Sequence, residues 1–178
     1  MDEIFGEVQS PRQDRLEKVK QKWVPPPDDY VTIKIDASLI LDKMGCGLSA
    51  VIRGSEGDLI VAEIVFIPGV VSVNLAEAAA MHLGFRLAHR WSAPKAIVSS
   101  DCLGIVNDMQ SSSSTFSDWG MLGREILALQ QHFLSLKFTY VPRDCNAVAN
   151  ALAIWSHMPT IIIDTSVLLD ANDMDEKV

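Results

Sequence analysis

Cysteine is scarce in this sequence and never paired by spacing: Cys46, Cys102 and Cys145 are three in number, and none belongs to a CxxC. An odd, scattered set of this kind excludes a disulfide framework and a zinc site, and it fits a reducing compartment. No apolar run approaches the roughly 20 residues that a membrane-spanning helix needs. The N-terminal stretch MDEIFGEVQSPRQDRLEKVK has no apolar core of the secretory-signal type, and its acids argue against a transit peptide. A basic excess is missing as well. Net charge is −8; residues 1–27 carry five acids against five bases, residues 28–158 thirteen against nine, and residues 159–178 five against one. Strong nonspecific polyanion binding leaves a basic footprint, and the charge count shows none. These absences lead us to expect an intracellular protein, cytoplasmic or nuclear, with no membrane attachment.

What is present is enough for one domain with a real core: 178 residues, 48% of them hydrophobic. Residues 1–27 form a polar segment with alternating charge that ends in a proline-rich linker, KWVPPP. Three consecutive prolines favour an extended chain that cannot join a helix. From Tyr30 the pattern changes to an α/β domain, taken as residues 28–158. YVTIKIDAS (30–38) alternates apolar and polar residues, the period of a strand. GCGLSAVIRGSEGDLIVAEIVFIP (45–68) reads as two more strands around the turn Gly54–Gly57. Helices are expected over 74–91, 103–110, 118–135 and 144–158, and strands over 95–100 and 136–142. The resulting order, β-β-β-α-β-α-α-β-α, implies a mixed sheet flanked by helices. Residues 159–178 are an apolar run followed by an acidic end.

Three acids stand where strands end or a helix faces the sheet. Asp36 follows the alternating residues of the first strand, and Asp101 closes the strand after the first helix. Glu77 lies one turn into that helix among Ala76, Ala78, Ala79 and Ala80, whose small side chains allow close approach to the sheet. Neighbouring strand ends in an open α/β sheet converge on one edge. Three carboxylates gathered without lysines repel unless they bind hard divalent cations, and Mg²⁺ held this way keeps positions open for phosphate oxygens. Each acid has a plainer use too: an aspartate closing a turn, a glutamate facing the helix dipole, a cap for the next helix. Spacing alone leaves both uses open.

KWVPPP, VTIKIDAS, GCGLSAVIRGSEGDLI, NLAEAAAMHLGFRLA, VSSDCLGIVNDM and VPRDCNAVANALA, in this order, resemble the plant RNase H-like domain. That family is the reverse-transcriptase-like ribonuclease H module of retroelement-derived reading frames and stand-alone plant proteins. The resemblance covers roughly residues 22–158. It implies a ribonuclease H-like fold with a five-stranded mixed sheet and hydrolysis of RNA in RNA–DNA hybrids. It also implies an active site of four acidic positions holding two Mg²⁺ (or Mn²⁺) ions. Asp36 matches the first acid, Glu77 the helix acid and Asp101 the acid of an S-D motif. The fourth belongs to a pattern similar to V-P-R-x-x-N-x-x-A-D-x-L-A, and here Asn150 stands in its place. Asn146 matches the pattern's asparagine and is expected to tie the helix start to its preceding loop. An amide oxygen can coordinate Mg²⁺ but brings no charge, so the second ion is expected to be held only weakly.

Two functional readings follow. In one, the chain is a slow ribonuclease H acting on RNA–DNA hybrids, with Asp36, Glu77 and Asp101 as metal ligands and Asn150 in a supporting catalytic position. In the other, it is a pseudoenzyme, a ribonuclease H fold kept as a protein-interaction module. Its partner is then another protein or a second copy, reached through residues 160–170. The tail reads either as a strand packed on its own domain or as a segment added to a partner's sheet. His82, His89, His132 and His157 fall on expected helices without metal spacing. Trp91, Trp119 and Trp155 are expected as core anchors, and Trp23 as the pin of the linker. Arg143 is expected to meet a phosphate or to cap the sheet edge.

Overall fold

Alternation in VTIKIDASLI puts one row of side chains on each face of an extended chain, and Val31–Ile40 forms the first strand, β1. Gly45–Arg53 (β2) and Leu59–Pro68 (β3) complete an antiparallel meander. The turn between β2 and β3 needs a left-handed residue, supplied by Gly57 at φ +83°. There follow α1 (Val73–Arg90), β4 (Lys95–Ser100), α2 (Leu103–Gln110), α3 (Gly120–Gln130), β5 (Ser135–Tyr140), α4 (Ala147–Trp155) and β6 (Ile161–Asp164). This computed structural model describes residues 23–70, 72–111, 119–156 and 161–164. The expectations for residues 1–22, for His157 and for the tail after 164 lie outside the described residues.

The sheet runs β5-β4-β1-β2-β3-β6. β4 lies parallel to β1 and to β5, and the other pairs are antiparallel, so the sheet is mixed as expected. It has six strands among the described residues where five were expected. The sixth, β6, runs from Ile161 opposite Ile64 to Asp164 opposite Val61. A run of β-branched residues has found the open edge of β3, where backbone groups otherwise stand unpaired.

Helices cover both faces. On one, α1 lies over Ile33 and Ile35, and this approach requires Gly84: a Cβ there would sit 2.9 Å from the Ile35 Cγ2 and 3.0 Å from that of Ile33. Ile33, Ile35, Met81, Phe85 and Leu87 are fully buried in this layer. On the other face, α4 brings Ala149 and Ala153 down onto β2 and β3, where Ala149 packs with Val51 and Ala62. A Cβ at Gly47 would collide with the Ala153 carbonyl oxygen and the Ser156 hydroxyl. Ser49 Oγ also donates to the Ala149 carbonyl at 2.7 Å.

Two helices differ from expectation. α3 stops at Gln130 because the next residues close short i→i+3 turns, and the Leu134 amide is then captured by the Pro94 carbonyl at 2.8 Å, which starts β5 beside β4. The start of the last helix is a tighter 3₁₀ turn, Arg143–Asn146. Trp91 and Trp119 pack against the core, but Trp155 is 65% exposed and anchors nothing there, since α4 turns its alanines to the sheet. Trp23 lies 5.1 Å below the Lys34 ammonium and 5.6 Å from the Arg53 guanidinium, fixing the linker's end to the sheet. No helix among the described residues is long and apolar enough to cross a membrane.

Candidate active site

Parallel pairing of β1 with β4 sets Lys34 opposite Ser99. Two residues further along each chain come Asp36 and Asp101, which the register therefore carries to the same edge. Asp36 is 5% exposed, and Asp101 is half-buried. The side chain joining them is Asn146, wholly buried at the end of the 3₁₀ turn. Its Nδ2 donates to the Ile35 carbonyl at 2.9 Å, to Asp101 Oδ1 at 2.9 Å and to Asp36 Oδ1 at 3.3 Å. Asn146 was expected to tie the helix start to its own loop; it ties that start to the sheet and to two carboxylates. This also explains the 3₁₀ geometry, because an asparagine committed to distant acceptors cannot serve as a regular helix residue. One residue earlier, the buried Lys34 donates to the Cys145 carbonyl and holds the same turn from below.

Glu77 reaches the cluster from α1. It is 7% exposed, and its Oε2 is buried without a hydrogen-bond partner. It also lines a cavity of about 410 Å³ with Ser72, Asn74, Cys102, Asp108 and Trp119, which opens beside Glu77. Burial raises the Asp36 carboxyl to about 8, helped by its hydrogen bond to Asp101 and by the charges of Asp101 and Glu77. Burial and the Asp101 charge raise Glu77 to about 7. Arg143 pulls both the other way. Acids that crowd and desolvate each other keep protons near neutrality unless a cation replaces them.

Asn150 lies one helical turn beyond Asn146 and is 8% exposed. With its amide oxygen turned to Arg143, it accepts from Nε at 2.9 Å and from Nη2 at 2.6 Å. The Arg143 guanidinium thus bonds a side chain of its own domain, a contact that sequence reasoning missed. The spacing of seven residues across a turn and a helix start was its only sequence signal. The described histidines stand elsewhere: His82 meets Glu125 at 3.0 Å, and the tilted rings of His89 and His132 lie with centres 4.4 Å apart.

The donors gathered here are all hard oxygens, and the orphaned Glu77 Oε2 is a buried acceptor aimed at nothing, so the set suits a hard divalent ion. Among the described residues no three acidic, histidine or cysteine side chains are drawn together tightly enough to form a ligand shell as they stand. Ligation would therefore require the carboxylates to close up, with the charge of the ion offsetting the repulsion that loss of their protons brings.

No curated protein matches this chain in sequence. Solved structures do match it in shape. RNase H1 from Halobacterium salinarum superposes with a TM-score of 0.65 at 19% identity, over 71% of this chain and 96% of its own. The N-terminal RNase H domain of a Mycobacterium tuberculosis protein gives 0.65 at 24%, over 71% and 92%. LC11-RNase H1 in complex with an RNA/DNA hybrid gives 0.61 at 20%, over 71% and 95%. At these identities the likeness establishes the fold, which is that of the ribonucleases H. Residues 35–156, from the middle of β1 to the end of α4, match the model of the reverse transcriptase-like family, and the chain belongs to that family.

Proposed function

We propose that this chain is a divalent-metal-dependent hydrolase of the RNA strand of RNA–DNA hybrids. The observation that carries this reading is the Asn146 amide, which holds Asp36 and Asp101 side by side with Glu77 adjoining. The same amide anchors the turn to the Ile35 carbonyl, and its hold on two further carboxyl groups is what points beyond that structural role to a cation site. A similar fold is known in complex with an RNA/DNA hybrid, and that substrate class is extended to this chain as part of the proposal.

Asp36, Glu77 and Asp101 would hold Mg²⁺ or Mn²⁺. When bound, the cation supplies Lewis acidity toward a phosphoryl oxygen and a water of lowered pKa. The chain's own contribution is positional. Asn146 fixes the spacing of two carboxylates, the sheet beneath prevents their splaying, and Glu77 leaves one oxygen free. Metal ligands must be deprotonated, so binding displaces the protons that Asp36 and Glu77 hold near pH 8 and 7. Metal affinity is expected to rise with pH across that window, which calorimetry over a pH series would show.

The neutral side chain at Asn150 favours a second reading, a ribonuclease H fold that binds without cutting. Cleavage of a labelled hybrid by wild type, Asp101→Asn and Asn150→Asp separates the two. Activity in wild type that is lost in Asp101→Asn supports the hydrolase. Activity only in Asn150→Asp marks a scaffold disarmed at one residue, and silence in all three leaves the interaction module.

A further inference from the structure

Along the chain no histidine has a neighbour at metal-ligand spacing, but folding brings two together. His89 lies in the last turn of α1, and His132 follows α3, which ends at Gln130. Their rings meet with centres 4.4 Å apart and planes tilted by 54°. Among the described residues neither ring has a hydrogen bond or an ion pair, so the nitrogens of both are open to a ligand. The turns that carry them are pinned to each other: the Pro94 carbonyl accepts from the Leu134 amide at 2.8 Å and from the Ser135 amide at 3.3 Å. Backbone, rather than the ring contact itself, therefore holds the pair in place. Beside it opens a cavity of about 170 Å³, lined by His89 and His132 with Ser92 and Phe133. That is room for an ion with several waters.

We propose that His89 and His132 bind one borderline divalent ion, Zn²⁺ foremost, at the junction of α1 and α3. Imidazole nitrogen suits Zn²⁺ and is a poor ligand for Mg²⁺, so this site selects against the ion that suits the carboxylates. The geometry is close to what ligation needs. Two imidazoles on one tetrahedral Zn²⁺, bonded at about 2.0–2.1 Å, stand with ring centres roughly 5 Å apart. The pair opens by a fraction of an ångström to reach that, which two exposed side chains allow. Both histidines stand at helix C-termini, whose partial negative charge favours a cation. Of the cations nearby, Arg90 is answered by Glu63 at 3.3 Å, and Arg86 shares its groove with Glu125. Among the described residues no third histidine, cysteine or acid completes the set, so water fills the remaining positions, with the Ser92 hydroxyl in the same cavity. The scattered cysteines offer no thiolate, and the site is nitrogen-based and of moderate affinity. By joining the ends of two helices the ion stabilises the folded state. None of this depends on the hydrolase reading, whose oxygen ligands gather toward the other end of α1.

Calorimetric titration of the full chain with Zn²⁺, in saturating Mg²⁺, tests this. Wild type is expected to take up one Zn²⁺ at the pair, with a rise of a few degrees in melting temperature. His89→Gln and His132→Gln should each lower the affinity at least about tenfold, since losing a ligand costs no less than losing a group that orients one. Asp36→Asn should leave uptake at the pair unchanged. In proton NMR the ring signals of His89 and His132, assigned through the two variants, should shift with Zn²⁺ while those of His82, held by Glu125, stay. Melts without metal confirm that the histidine variants are folded, as the exposure of both side chains leads one to expect. Equal uptake by His132→Gln, uptake lost entirely in Asp36→Asn, or none by wild type at submillimolar Zn²⁺ would overturn the site.

Discussion

Asn146 asks one amide nitrogen to serve three acceptors, two of them carboxylates, in a position with no access to water. Removing it leaves Asp36 and Asp101 facing each other undamped. Asn146→Ala should lower stability by about 1–3 kcal/mol, the range for a buried polar partner lost, as read by urea unfolding without metal. The same carboxyls make stability depend on pH. Asp36 and Glu77 have folded values of about 8 and 7, above the 3.8 and 4.5 of the free groups, so the folded state binds more protons between them. The contribution of these two groups to stability without metal is therefore full below about pH 4 and is lost as pH rises toward 8. Saturating Mg²⁺ should flatten that slope, because the bound ion replaces the protons. A denaturation midpoint that rises with pH in metal-free buffer would contradict the assignment. Where the three acids stand was legible beforehand. Alternation in β1 located Asp36, the strand end located Asp101, and the alanines around Glu77 marked a close helix. The Asn146 bridge was not, since spacing along a chain does not say where a turn aims its side chain.

At the level of elements, the site depends on how closely α4 lies on β2. The contact is made by absent atoms: Gly47 has no Cβ to strike the Ala153 carbonyl, and Ala149 and Ala153 bring the helix down. Gly47→Ala should displace the helix that carries Asn150 and pulls on Asn146. We expect a loss of about 3 kcal/mol or more, since the clash is with backbone that cannot rotate away. Weakened metal binding should accompany it. Element order and most boundaries followed from period and punctuation alone, down to Lys95–Ser100 and Leu103–Gln110. The early end of α3 did not, because the Pro94 carbonyl that captures Leu134 is forty residues away in the chain. The exposed Trp155 did not either, because a large aromatic looks like core in any sequence while the packing face of α4 is set by its alanines.

For the molecule as a whole, β6 and the charge matter most. β6 lies outside the stretch that carries the family match, and its Ile162 and Ile163 are substantially exposed. Ending the chain after residue 160 should leave the fold and metal binding intact, while uncovering the edge of β3. Faster aggregation on heating, with an unchanged circular dichroism spectrum at low temperature, is the expected result. A net charge of −8 sets a second limit. Affinity for a hybrid should be modest, because few phosphate contacts are available to release counterions. Whether this acid cluster does chemistry decides what the whole molecule is for. The direct measurement is scission of the RNA strand of a labelled RNA–DNA hybrid by the wild-type chain in Mg²⁺ or Mn²⁺, beside Asp36→Asn and a chelated control. We expect cutting by wild type alone and only with metal. An intact hybrid under every condition, or cutting that persists in Asp36→Asn, would contradict it.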